Sequence, residues 1–167
     1  MPSEFEHGRE LNNTLNLSYA DSRKFFAGAN LKYNFQQLLG LSLKGVYNGW
    51  SVSTADVSSD MVGVSESPFK AYNRPSFELN AGVEVKPMEN LSFLVDYYLG
   101  TGRYSLVNSK NVSMNNINEL NLKGTYTFNK TIGVYAHLNN LLFQKYDMYY
   151  GYASQGFSAM AGININF

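Results

Sequence analysis

Apolar and polar residues alternate along most of the chain, and a period of two marks β-strands with unlike faces. Residues 11–19 set Leu11, Leu15, Leu17 and Tyr19 against Asn12, Thr14, Asn16 and Ser18. The pattern returns at 25–35, 39–47, 77–85 and 91–99, with the apolar residues at odd positions. Parity then changes. Even positions are apolar at 118–128 and 132–140, and odd positions again at 157–167. These segments predict about eight antiparallel strands, each near the ~9–11 residues that cross a bilayer at a tilt. No segment has a helical period. Residues 1–10 form an N-terminal tail, and 11–167 read as one β-domain.

The connections alternate in length. Residues 36–38, 87–90 and 129–131 are tight, whereas 49–75, 101–115 and 141–156 are long. Only 21–24 is short on the long-loop side. Bacterial outer-membrane barrels have short periplasmic turns and longer external loops. An even strand count puts both termini on the periplasmic side.

Alternation alone does not say which face meets lipid, core or water. A soluble eight-stranded ligand-binding barrel of similar length carries its apolar face inward. Three features favour the inverted arrangement. In all these segments the apolar face lacks Asp, Glu, Lys and Arg, and a charge facing mid-bilayer costs ~2–4 kcal/mol. The polar face is mostly Asn, Ser, Thr and Gly, unlike a wet outer surface with about 25–35 % charge. Aromatics gather at strand ends: Tyr19, Phe25, Tyr33, Phe35, Tyr47, Phe77, Tyr126, Phe128, Phe157 and Phe167. Aromatic girdles occupy such positions at the two interfaces. The fold expected is an all-β, antiparallel up-and-down transmembrane β-barrel, whole or part of a larger one, in contact with outer-membrane lipid.

Composition narrows the function. Lys+Arg and Asp+Glu both number 13, and only 16 % of residues are charged. No basic face exists for nucleic acid. Cysteine is absent, which excludes disulfides, thiolate metal sites and a Cys nucleophile. Residues 1–7 lack an apolar core, so no signal peptide is expected within this chain.

The end of the chain is the most specific part. Residues 157–167 alternate and finish on Phe167, with Phe157, Ile163 and Ile165 as apolar teeth. This resembles the terminal signal by which barrel-assembly machinery recognises outer-membrane proteins. Upstream lie Asn139-Asn140-Leu141-Leu142-Phe143-Gln144-Lys145-Tyr146, then Tyr149-Tyr150-Gly151-Tyr152, Gly156-Phe157 and Ala161-Gly162. Over about residues 139–167 the chain resembles the C-terminal end of TonB-dependent outer-membrane receptors. That family commonly closes with an Asn-Leu-Phe element, a Lys-Tyr pair, a Gly-Tyr loop and a terminal Phe. The resemblance implies a ~22-stranded barrel around a plug that imports siderophores, vitamins or glycans with energy relayed by TonB. This length leaves no room for a plug and supplies about a third of such strands. The expectation is therefore a C-terminal barrel fragment or shortened relative, with the rest of barrel and plug as partners. The alternative is a self-contained small barrel of the OmpA/OmpX type with a structural or adhesive role.

Candidate chemistry is sparse, and no enzyme, cofactor or metal site is expected. Lys32, Lys44, Lys86 and Lys123 share the polar face with Glu78, Glu84, Asp96 and Glu119. They read as a structural charge network, because interior charges must pair to offset desolvation. His137 is the only histidine in the alternating segments and reads as a hydrogen-bonded wall residue. Gly100-Thr101-Gly102-Arg103 lacks the helix and Lys-Ser/Thr of a phosphate loop. The aromatic run Phe143, Tyr146, Tyr149, Tyr150 and Tyr152 is the candidate for external ligand contact, since Tyr joins a flat apolar face to a polar tip.

Overall fold

The computed structural model describes residues 22–52, 70–108 and 110–166. The strand expected at 11–19 and the terminal Phe167 lie outside them. All regular structure among the described residues is β. The strands are β1 (Ser22–Phe35), β2 (Leu39–Val52), β3 (Phe77–Met88), β4 (Leu91–Thr101), β5 (Tyr104–Val107) and β6 (Lys110–Ser113). They continue with β7 (Ile117–Thr127), β8 (Ile132–Asn139), β9 (Asp147–Tyr149), β10 (Tyr152–Ala153) and β11 (Ser158–Ile165). Seven of them form one antiparallel sheet in the order β1-β2-β3-β4-β7-β8-β11. Among the described residues β1 and β11 do not pair, so the sheet is open.

The register explains the change of parity. Tyr33, Leu41, Val83, Val95, Leu122, Leu138 and Ala159 are successive partners across all seven strands. Opposed residues point to one face, so this row is apolar from edge to edge. A polar row runs through Lys32, Ser42, Gly82, Asp96 and Asn121. The apolar face is exposed: Leu31 and Ile163 each keep 66 % of their surface accessible. The sheet leaves this face uncovered among the described residues and presents it as a contact surface.

Aromatic belts bound this apolar face. Phe25, Tyr47, Phe77 and Phe157 mark the long-loop end, and Phe35, Phe93, Tyr126 and Phe128 the short-turn end. The ten residue steps from Phe25 to Phe35, at about 3.3 Å per step and a tilt of about 40°, rise about 25 Å, the height of a barrel's apolar band. Arg23, of the same parity, stands beyond Phe25 and pairs with Ser51.

The turns follow their residues. Asn129 accepts at Oδ1 from the N–H groups of Thr131 and Ile132, both at 2.9 Å, an Asx turn. The turn expected at 87–90 shortens to Glu89 and Asn90, because β3 continues to Met88 through an irregularity after Val85. Pro87, with no N–H to donate, sits in that irregular stretch. Both long-loop connections after β4 and β8, read from sequence as plain loops, contain hairpins: β5–β6 and β9–β10.

Candidate functional site

At the long-loop end the connections are tied together by Arg103. Gly102 turns the chain out of β4 with φ +69°, a left-handed conformation that glycine adopts without strain. A Cβ there would also stand 2.9 Å from that of Ser76. Arg103 follows, only 2 % exposed. Its guanidinium donates to the Met148 carbonyl at 2.7 Å and the Asn115 carbonyl at 3.4 Å. It thereby joins the connection after β4 to the β9–β10 hairpin. Sequence reasoning missed this role; a glycine beside a lone arginine in a polar loop was its only signal.

The Asn-Leu-Leu-Phe-Gln stretch is a folded latch. Asn140 is buried and adopts φ 52°. Its N–H donates to Asn121 Oδ1 at 2.9 Å, its Nδ2 to the Gln144 carbonyl at 2.9 Å, and its Oδ1 accepts from the Gln144 N–H at 3.0 Å. Gln144 Oε1 accepts in turn from the Asn118 N–H at 2.6 Å. The chain after β8 is thus folded back over β7.

The candidate aromatics separate into three environments. Tyr146, 7 % exposed, points inward and donates its hydroxyl to Glu119. Burial, then the Glu119 hydrogen bond, pushes its phenol up to about 12. Phe143 stacks on Phe157, centroids 5.1 Å apart, and Phe157 has the parity of the apolar face, so this pair extends the upper belt. Tyr149 and Tyr152 are opposed in the β9–β10 hairpin, with Tyr150 at its tip. All three are exposed, Tyr152 at 73 %. Asp147 Oδ2 accepts from the Gly151 N–H at 3.0 Å and fixes the turn. Ile163 and Ile165 of the expected insertion signal lie on the apolar face of β11, an edge strand.

The polar face differs from expectation. The charge network is not formed: among the described residues one ion pair occurs, Lys86 to Glu84 at 3.0 Å, and it is half exposed. The physical reason is register: Lys44 on β2 opposes Asn80 and not the carboxylates of the adjacent β3, and Lys32 on β1 stands one strand further away. Glu78 is instead held by neutral donors, Asn48 Nδ2 at 2.9 Å and the Tyr98 hydroxyl at 3.1 Å. His137, expected to be hydrogen-bonded, has a buried Nε2 without a partner. Its cross-strand partners are Met160 on β11 and Lys123 on β7, and the Tyr135 ring lies with its centroid 5.1 Å away. No group of three or more His, Cys, Asp or Glu gathers among the described residues. Near the rim Lys24 and Arg74 each approach the Trp50 ring, at 4.9 and 5.1 Å from its centroid.

No protein-family model and no curated protein sequence matches the chain. Solved structures do. The siderophore receptor PiuA from Acinetobacter baumannii superposes with a TM-score of 0.70 at 14 % identity, over 87 % of this chain and 22 % of that one. The copper transporter OprC superposes at 0.62 with 14 % identity, over 89 % of this chain and 24 % of its own. The likeness is one of fold: the sheet has the architecture of a section of each of these two structures. The chain spans under a quarter of the length of these structures.

Proposed function

We propose that this chain supplies wall and external loops to an outer-membrane receptor barrel of the TonB-dependent class and serves nutrient uptake without covalent chemistry. The carrying observation is the edge-to-edge apolar row bounded by aromatic belts, on an open sheet whose other face is polar. An open transmembrane sheet leaves backbone groups unpaired in hydrocarbon, so further strands complete the wall and a plug occupies the lumen. The short-turn end is periplasmic. Phe157, Ile163, Ile165 and Phe167 present the insertion signal to the assembly machinery. Tyr149, Tyr150 and Tyr152 face outward and meet the ligand; Tyr146 braces their hairpin, and Phe143 belongs to the lipid belt.

The absence of cysteine makes a direct test available. The chain is exported in a Gram-negative host as the single variants Tyr150→Cys and Gln37→Cys, and intact cells receive a membrane-impermeant maleimide. Tyr150→Cys is expected to label in intact cells and Gln37→Cys only after permeabilisation. The opposite pattern sinks the orientation, and recovery of both variants in the soluble fraction sinks the membrane assignment.

A further inference from the structure

We infer that the polar face carries a furrow for a short peptide-like zwitterion, carboxylate end at Lys32 and Lys44 and ammonium end at Asp96. The furrow encloses about 440 Å³, within the ~300–1,000 Å³ typical of small-ligand sites. Its floor is Ser42 and Gly82, opposed across β2 and β3. A Cβ on residue 82 would stand 2.6 Å from Ser42 Oγ and 3.3 Å from Asp96 Oδ1. Glycine keeps the floor low where a ligand must cross it.

The charges give the furrow polarity. Lys32 opposes Ser42, and Lys44 opposes both Asn30 and Asn80, so the two lysines are diagonal neighbours about 7–8 Å apart. Asp96 opposes Gly82 on the other side. No carboxylate lies within ion-pair distance of either lysine, and no cation within that distance of Asp96, among the described residues. With strands about 4.8 Å apart, Asp96 lies about 10 Å from the strand of Lys44 and about 14 Å from that of Lys32. Three extended residues span about 10 Å, which matches this separation. Asn80 and Asn121 flank the path, and their amides offer both donors and acceptors to peptide groups. A dicarboxylate would meet Asp96 and a diamine the lysines, so the pattern selects a ligand with one end of each sign. The inference rests on the furrow itself and not on the receptor assignment.

The test titrates the full chain in detergent micelles at neutral pH with tri-alanine, N-acetyl-tri-alanine and tri-alanine amide, read by amide chemical shifts. Each blocked peptide is expected to bind about two- to fivefold more weakly, the weight of one exposed ion pair. Asp96→Asn should equalise the free and acetylated peptides yet keep the amide penalty. The double variant Lys32→Gln/Lys44→Gln should do the converse. Gly82→Leu should abolish all three while the spectrum stays dispersed. Equal binding of free and blocked peptides, penalties that survive in the charge variants, or no shifts at the furrow would overturn the inference. So would preference for an all-Asp tripeptide that ignores Asp96→Asn, which would indicate an acidic protein segment seated on the lysines.

Discussion

The ring of Tyr135 lies across Gly162, the residue directly opposite it on β11. A Cβ on residue 162 would stand 2.8 Å from Tyr135 Cε1 and closer still to its hydroxyl. An aromatic laid over a glycine restores cover to bare backbone near a sheet edge. Gly162→Ala should displace the ring and destabilise the sheet by about 1–3 kcal/mol, as overpacking does. In a Tyr135→Ala background the same change should cost much less. Unfolding midpoints of the four proteins in detergent check this cycle, and additive effects would show that the two residues are independent.

The two faces should respond differently to charge. Leu31→Arg and Leu122→Arg, on the apolar rows, should each cost about 2–4 kcal/mol in a bilayer, whereas Asn30→Arg and Asn121→Arg should cost less. Equal losses from both faces would remove the main support for a lipid-facing side.

Tyr146 links the long connection after β8 to β7 through Glu119. Its folded-state value of about 12 exceeds the ordinary 10.0, so the folded chain holds this proton more tightly. The resulting stability is fully present below pH 10 and is lost as pH rises toward 12. Tyr146→Phe should cost about 1.5–3 kcal/mol at neutral pH, the weight of a hydrogen bond to a charged group. It should also lose stability less steeply than the parent across that alkaline window. Parallel pH profiles for the two proteins would exclude the linkage.

Arg103→Met removes both guanidinium donors from the Met148 and Asn115 carbonyls. Hydrogen exchange across residues 146–153 should accelerate roughly tenfold or more, since such bonds carry about 1.5–3 kcal/mol. Amides of the long strands should be affected far less. Uniform acceleration along the whole chain would mean that Arg103 supports the sheet and not the loops.

The strands were legible because each one meets two media, and that contrast is written residue by residue. Even the switch from odd to even positions at β7 is carried by the register, with Val95 opposite Leu122. The ends were less legible. β2 runs five residues past Tyr47, to Val52, through Asn48-Gly49-Trp50-Ser51, where the alternation lapses. The four-residue strands β5 and β6 are too short for a period to register. Arg103 and Tyr146 look like solvent-exposed loop residues by sequence; distant partners, Met148 and Glu119, draw them inward. Charge balance, visible in sequence, predicts pairing for the lysines of β1 and β2, whereas the register that sets Lys44 opposite Asn80 is not visible there.

The two aromatic belts also act as a ruler for assembly. A strand joining β1 one residue out of step would turn its polar side chains to the apolar face. A slip of two residues keeps the faces but shifts the newcomer about 6.6 Å along the strand. Its end rings would then fall within the apolar band at one end, and at the other its apolar residues would rise to the level of Arg23. Only one alignment sets both belts at common heights. The edge of β1, unpaired among the described residues, therefore specifies where its neighbour must sit, and it does so through side chains that never touch the joining backbone.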